Sequence, residues 1–87
     1  MLTLQECLDF SGLEVEEIAA IAEHEHLPDI IAAELGNYLL ATSRGRKQIR
    51  GMIVDDLVCA RRAGDQRHAS ALERVLSSYD GAHARDA

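Results

Sequence analysis

This chain has 87 residues and a net charge of −6, and its aromatic residues are one Phe and two Tyr, with no Trp. The length allows one small hydrophobic core and excludes a multidomain arrangement. A core so poor in aromatic residues must be built from Leu, Ile, Val and Ala, a composition that favours helices. No apolar run reaches the about 18 residues that cross a bilayer, and no basic-then-apolar leader opens the chain, so we expect a cytoplasmic protein that does not enter membranes.

The first predicted helix is short. Thr3 and Glu6 have capping-box spacing, and Ser11 with Gly12 ends the segment, whose apolar residues are Leu4, Cys7 and Leu8. The next apolar pattern predicts a helix over residues 14–26, with glutamates near its positive end and histidines at its carboxyl end. We expect its buried side to contain Val15, Ile18, Ile21 and Ala22.

Two longer helices are predicted next. Pro28 disfavours helical geometry at Leu27 and suits a helix start, which indicates a tight corner before a helix over residues 28–41. Its expected buried side contains Ile31, Leu35, Tyr38 and Leu39. Thr42 and Ser43 then cap a helix over residues 43–63, which is expected to be central because it has two apolar stripes. These stripes are Ile49, Met52, Ile53, Leu57 and Ala60, and Val54 with Val58.

Gly64 and Asp65 indicate a helix stop followed by the amino-terminal cap of a last helix. That helix is expected to bury Ala69, Leu72, Val75, Leu76 and Tyr79. No segment shows strand periodicity, so the sequence predicts an all-α fold, a small bundle of four to five short helices. The single domain is expected to span residues 1–80, with a frayed, disordered tail over residues 81–87.

The apolar pattern also predicts the environment of two cysteines and one glycine. Cys7 and Cys59 lie at apolar-periodic positions without metal or redox spacing, which predicts buried, reduced thiols. Gly51 is expected to allow close helix packing.

The charges divide the chain into two halves. Residues 1–43 contain nine acids and no base, whereas the remaining residues contain nine bases and six acids. Within the predicted helices only Asp65, with Arg61 and Arg62, has an opposite charge three or four residues away. The acidic second helix and the basic start of the fourth could be matched to one another inside the bundle or between subunits, or by a bound ligand. We expect an acidic partner surface at Glu14, Glu16, Glu17 and Glu23, and a basic partner- or anion-binding surface at Arg44, Arg46, Lys47 and Arg50.

The basic surface lies at the amino-terminal end of its helix, where positive charge is unfavourable. Cations in a first turn oppose the positive end of the helix dipole, at about 0.3 to 1 kcal/mol each. A bound anion or a partner's acidic helix would offset this, and Gly45 would let either approach the backbone. Nucleic acid is not the expected anion, because the whole chain is acidic, the basic cluster is small and no aromatic residues interleave with it.

A divalent metal site is the alternative hypothesis. Glu23 and His26 have the three-residue spacing of carboxylate–histidine units in helical metal sites, and Asp65 with His68 repeats it. Asp56 falls within the apolar stripe of its helix. The candidate ligands are Glu23, His26, Glu34, Asp56 and His68. The competing interpretation is that Asp65 caps a helix and that Asp56 pairs with an Arg or a Tyr hydroxyl.

Catalysis is not expected, because the chain has no Gly-rich phosphate loop, nucleophile elbow or catalytic triad spacing. The leading hypothesis is a small cytoplasmic interaction or regulatory module without a cofactor. It would form a homo-oligomer, or bind a protein partner, through the acidic half and the basic helix that starts near residue 44.

Overall fold

The structure is a computed structural model that describes residues 12–83, and over this range it confirms the all-α prediction. Its helices, in chain order, are α1 (Val15–Glu25), α2 (Asp29–Leu40), α3 (Ser43–Arg62) and α4 (Gln66–His83), and no strand occurs in this range. The predicted helix that begins at Thr3 lies outside the described residues. Residues 81–83 of the predicted tail belong to α4, and its remaining residues lie outside the described range.

Local signals in the sequence set the helix boundaries. The Thr42 hydroxyl accepts a hydrogen bond from the Gly45 amide at 2.9 Å, which caps α3 as predicted. Asp65 Oδ1 likewise accepts from the His68 amide at 3.1 Å and caps α4, immediately after Gly64 adopts a left-handed φ of 74°. His26 ends α1 in the same left-handed region, with φ 55°.

The core lies around α3, which packs against each of the other three helices and is therefore the central helix, as predicted. Ile49 and Ile53 of α3 are fully buried against Ile18 and Ile21 of α1. On the side of α4, the core is completed by the buried residues Leu57, Ala60, Ala69, Leu72, Val75 and Tyr79. This aliphatic packing is the main source of stability for so small a bundle.

The orientation of α2 differs from the prediction. Its buried residues are Ala32, Ala33, Gly36 and Leu39, whereas Ile31 is 43% exposed and Tyr38 is 77% exposed. The reason is close packing: a Cβ at Gly36 would collide with the side chain of Leu13 and come within 3.2 Å of Ile21 Cδ1. The helix therefore turns its small residues and Leu39 inward, and Ile31 and Tyr38 outward.

Two further predictions of burial and one of close helix packing are wrong. Val15 is 58% exposed, because it lies at the first turn of α1, and Cys59 is an exposed free thiol on α3. Gly51 makes no close helix contact, since a Cβ built there would meet nothing within 4 Å. Val15 and Cys59 lie beside a buried face rather than on it, a distinction that periodicity alone does not resolve, whereas Gly51 lies on the exposed side of α3.

Gly45, at the corner between α2 and α3, gives a first testable prediction. A Cβ at this buried position would overlap the carbonyl group of Leu39, so Gly45→Ala should lower the free energy of unfolding by about 1 to 3 kcal/mol. The measurement is urea denaturation at low protein concentration. Gly51→Ala is the matched control in the same helix, and its open surroundings should let alanine raise stability by about 0.5 to 1 kcal/mol. Equal effects of the two substitutions would contradict the close approach at Gly45.

Candidate functional site

The predicted basic surface is only partly available. Arg46 Nη1 donates a hydrogen bond to the Leu40 carbonyl at 2.6 Å, so this cation lies against the negative end of α2. Arg50 is paired with Asp80 of α4 through Nε and Nη2, at 2.9 and 3.2 Å. Arg44 and Lys47 are exposed and make no ion pair with any residue of the range 12–83. The unmatched positive charge at the start of α3 therefore belongs to Arg44 and Lys47.

The backbone at Gly45 is not open to a ligand, contrary to what the sequence suggested. The carbonyl group of Leu39 lies where an approaching anion would have to sit, and Thr42 already accepts the Gly45 amide hydrogen. The glycine is needed for contact between two helices. Any partner of this end of α3 must therefore contact the side chains of Arg44 and Lys47 rather than the helix amides.

The predicted acidic surface faces α4 instead of the basic start of α3. Glu17 is buried and accepts a hydrogen bond from the Glu14 amide at 2.8 Å; burial raises its pKa above the ordinary glutamate value. Ser78 of α4 donates to Glu14 Oε2 at 3.5 Å, and Glu16 lines the same crevice as Arg74. Glu23 contacts His68, as described below. The structure therefore does not bring the predicted acidic and basic surfaces together within one chain.

Most of the described ion pairs connect different helices. Arg50 with Asp80 and Arg61 with Glu73 join α3 to α4, the second pair at 2.7 Å. The expected pairing of Asp65 with Arg61 or Arg62 does not form, because Asp65 caps α4 and Arg61 reaches Glu73. Exposed pairs of this kind contribute little stability individually, about 0.2 to 1 kcal/mol each. They do fix how the helices are placed relative to one another.

A cluster of carboxylates and histidines lies where α1, α3 and α4 meet, and we call it the acid–histidine cluster. Glu23 Oε1 and His68 Nε2 are 2.8 Å apart. His24 contacts Glu25 through Nδ1 at 2.6 Å and Asp55 through Nε2 at 3.0 Å. The cluster contains Glu23, His24, Glu25, Asp55, Asp56 and His68.

Asp56 is the buried member of this cluster. It is 6% exposed, and its Oδ2 atom has no hydrogen-bond partner, so the predicted Arg or Tyr partner is absent among residues 12–83. Burial, and next the charge of Glu23, raise its pKa from 3.8 to about 6, although His24 and His68 act in the opposite direction. Near neutral pH this side chain is thus a buried carboxylate with no direct partner among residues 12–83.

His24 is tuned towards its charged form. Partial burial lowers its pKa, but the hydrogen bonds to Glu25 and then Asp55 outweigh this effect, and the net shift is upward. Both ring nitrogens face carboxylate oxygens, an arrangement that suits the doubly protonated ring. His24 and Asp55 were missed as site residues; the available signal was the adjacency of Asp55 to Asp56, but the contact itself depends on how α1 crosses α3.

The predicted metal ligands do not come together as a set. Glu23 and His68 are in contact and Asp56 lies in the same cluster, whereas His26 is the exposed end of α1 and Glu34 is on the exposed side of α2. Within the described part of the chain, no group of three His, Cys, Asp or Glu residues is arranged to hold a metal ion. Asp65 and His68 are linked by a helix cap rather than by a shared ligand.

Comparisons of the chain with protein-family models, with curated proteins and with solved structures give no match. Among residues 12–83, none of the helices has the length and apolar character needed to span a bilayer. Function must therefore be inferred from the surfaces of the molecule itself.

Asp56 gives the second prediction, a stability that falls as pH rises. Between about pH 4 and pH 6 the folded chain retains a proton on Asp56 that the unfolded chain has released, so the free energy of unfolding decreases with pH across this window. The difference is at most about 3 kcal/mol, since each pKa unit corresponds to about 1.4 kcal/mol. His24 acts in the same direction: its raised pKa gives stability that is lost as pH rises through the folded value.

Asp56→Asn tests this assignment, because it removes the buried charge. We expect the variant to be about 1 to 3 kcal/mol more stable than the wild type at pH 8 and to lose this advantage near pH 4, measured by urea denaturation across the range. Asp55→Asn is the control at the adjacent exposed position; it removes the partner of His24 and should not stabilise the protein. A pH-independent difference between wild type and Asp56→Asn would contradict the raised pKa.

Proposed function

We propose that this protein is a small cytoplasmic interaction module that self-associates, and that it binds its partner through the exposed cations at the start of α3. The observation that carries the proposal is the state of Arg44 and Lys47, which are exposed and lack ion pairs in residues 12–83 although they oppose the positive end of α3. An acidic surface on another molecule would remove this unfavourable interaction. The proposed role is binding rather than catalysis.

A second copy of the chain can supply that acidic surface. The molecule has an excess of six negative charges, and the acids Asp29, Glu34 and Asp55 are exposed on α2 and α3. Three acids of α1 are less suitable, because Glu17 is buried and Glu14 and Glu23 face α4. When one surface contains both charges, a second copy rotated by half a turn places its acids against the cations of the first copy, and its cations against the acids.

Salt dependence is the third prediction. Association that rests on exposed charge pairs should weaken as ionic strength rises, because screening shortens from about 14 Å at about 0.05 M salt to about 4 Å at about 0.5 M salt. Sedimentation velocity over a concentration series should show self-association at low salt and a shift towards monomer at high salt. A chain that is monomeric at every concentration in both buffers would rule out self-association.

Charge reversal then locates the contact. Arg44→Glu combined with Lys47→Glu should abolish association at low salt. The four new glutamates of the two copies would repel the acidic surfaces that the cations attracted. The control, Arg62→Glu with Arg67→Glu, changes the net charge by the same amount at exposed positions on the ends of α3 and α4. Loss of association in both double variants would indicate a general effect of net charge, not a binding surface at the start of α3.

A further inference from the structure

The outward side of α2 is an apolar ridge, formed by Ile31, Leu35 and Tyr38. Positions 31, 35 and 38 share one side of a helix, since they are separated by four and three residues. Ile31 is 43% exposed, Tyr38 is 77% exposed and Leu35 is half-buried. Isolated exposed apolar residues are normal on a protein surface, but a contiguous row that includes a tyrosine is typical of a protein–protein contact.

A shallow groove runs beside this ridge, between α2 and α3. Leu35 and Leu39 of α2 and Met52 of α3 line it. The two helices form a hairpin, because only Ala41 and Thr42 separate them and Leu39 meets Gly45 near the corner. The ridge and the apolar residues of the groove, which Gln48 also lines, together make one strip that follows the length of α2.

The two ends of this strip have opposite charge. Arg44 and Lys47 lie at the end where α3 begins, and Glu25 and Asp55 lie on the rim of the groove at the other end, on either side of the His24 ring. Arg44 and Asp55 are eleven positions apart on α3, which corresponds to about 16 Å along the helix axis. The charged ends are therefore far enough apart to be distinguished by a partner.

We propose that the strip, together with its charged ends, is the interface of a two-fold symmetric dimer. The inference rests on the proposed self-association and specifies its geometry. In an antiparallel pairing of the two hairpins, Arg44 and Lys47 of each copy face Glu25 and Asp55 of the other, and the ridges bury their apolar residues against one another. A parallel pairing would place like charges together, which disfavours that arrangement. A two-fold contact of this kind is closed, so assembly stops at the dimer.

The apolar part of the interface is tested by Tyr38→Glu. Because Tyr38 is largely exposed, the substitution should leave the fold and its circular dichroism unchanged, while the dimer should become at least about tenfold weaker. Val15→Glu is the matched control, since Val15 is another exposed apolar residue, on α1 and outside the strip. If Tyr38→Glu associates like the wild type, or if Val15→Glu weakens association equally, the proposed interface is wrong.

The pairing of the charged ends is tested by mixing two variants. Arg44→Glu with Lys47→Glu, and Glu25→Lys with Asp55→Lys, should each be monomeric alone at low salt. Their equimolar mixture should recover a heterodimer, held at one of its two charged contacts by the exchanged lysines and glutamates. Circular dichroism of each variant verifies that it is folded, because the second variant loses the contacts of His24.

The outcomes separate this geometry from the wider proposal. Salt-sensitive self-association that survives Tyr38→Glu, with no recovery in the mixture, would refute the dimer interface and leave self-association through another surface. Assemblies that grow beyond the dimer with concentration would refute the two-fold symmetry. A monomer under all conditions would refute both the interface and self-association, and would leave the strip as a surface for a different protein.

Discussion

The contact between Gly45 and the Leu39 carbonyl group sets how α2 and α3 are joined, and the other features of the α2–α3 side depend on it. Only a residue without a Cβ lets the first turn of α3 lie directly against the last turn of α2. This approach brings Arg46 to the Leu40 carbonyl, where its charge stabilises the negative end of α2 while lying at the positive end of α3. Arg44 and Lys47 then remain on the outside of the same turn.

Polar interactions position the helices more than they stabilise them. The exposed pairs between α3 and α4 are individually weak, and the buried carboxylate of Asp56 opposes folding at neutral pH. Stability therefore comes from the aliphatic layer of Ile18, Ile21, Ile49 and Ile53. The free energy of unfolding of proteins is generally on the order of 5 to 15 kcal/mol, so the cost of a charged Asp56 is a substantial fraction of such a total.

Local chemistry explains which parts of the fold could be predicted from the sequence. The caps at Thr42 and Asp65, the turn at Gly64 and the central position of α3 depend on neighbouring residues and could be predicted. The orientation of α2 could not be predicted, because apolar residues occupy several of its sides. The side that is buried is determined by the tight packing of Gly36 against Leu13. The exposure of Cys59 was missed for the same reason, since periodicity does not separate a core position from its neighbour.

The candidate site shows the same division. The unusual position of Asp56 and the charge at the start of α3 were visible in the sequence. Asp56 is an acid within an apolar stripe, and the cations lie at the positive end of their helix. The pairings could not be predicted: Arg50 with Asp80, His24 with Asp55 and Glu23 with His68 join residues about 30 or more positions apart. Such contacts depend on crossing angles between helices, and no spacing rule along one helix gives them.

Two close contacts of α2, one at its own Gly36 and one with Gly45 of α3, have a consequence for the kinetics of binding. Gly36 fits against Leu13 and Ile21, and Leu39 fits against Gly45, so α2 is closely packed at two points along its length. Its outer residues are thus presented on a closely packed helix. A binding surface that already has its bound conformation loses little conformational entropy on docking. More of its contact energy then slows dissociation, so the complex lasts longer.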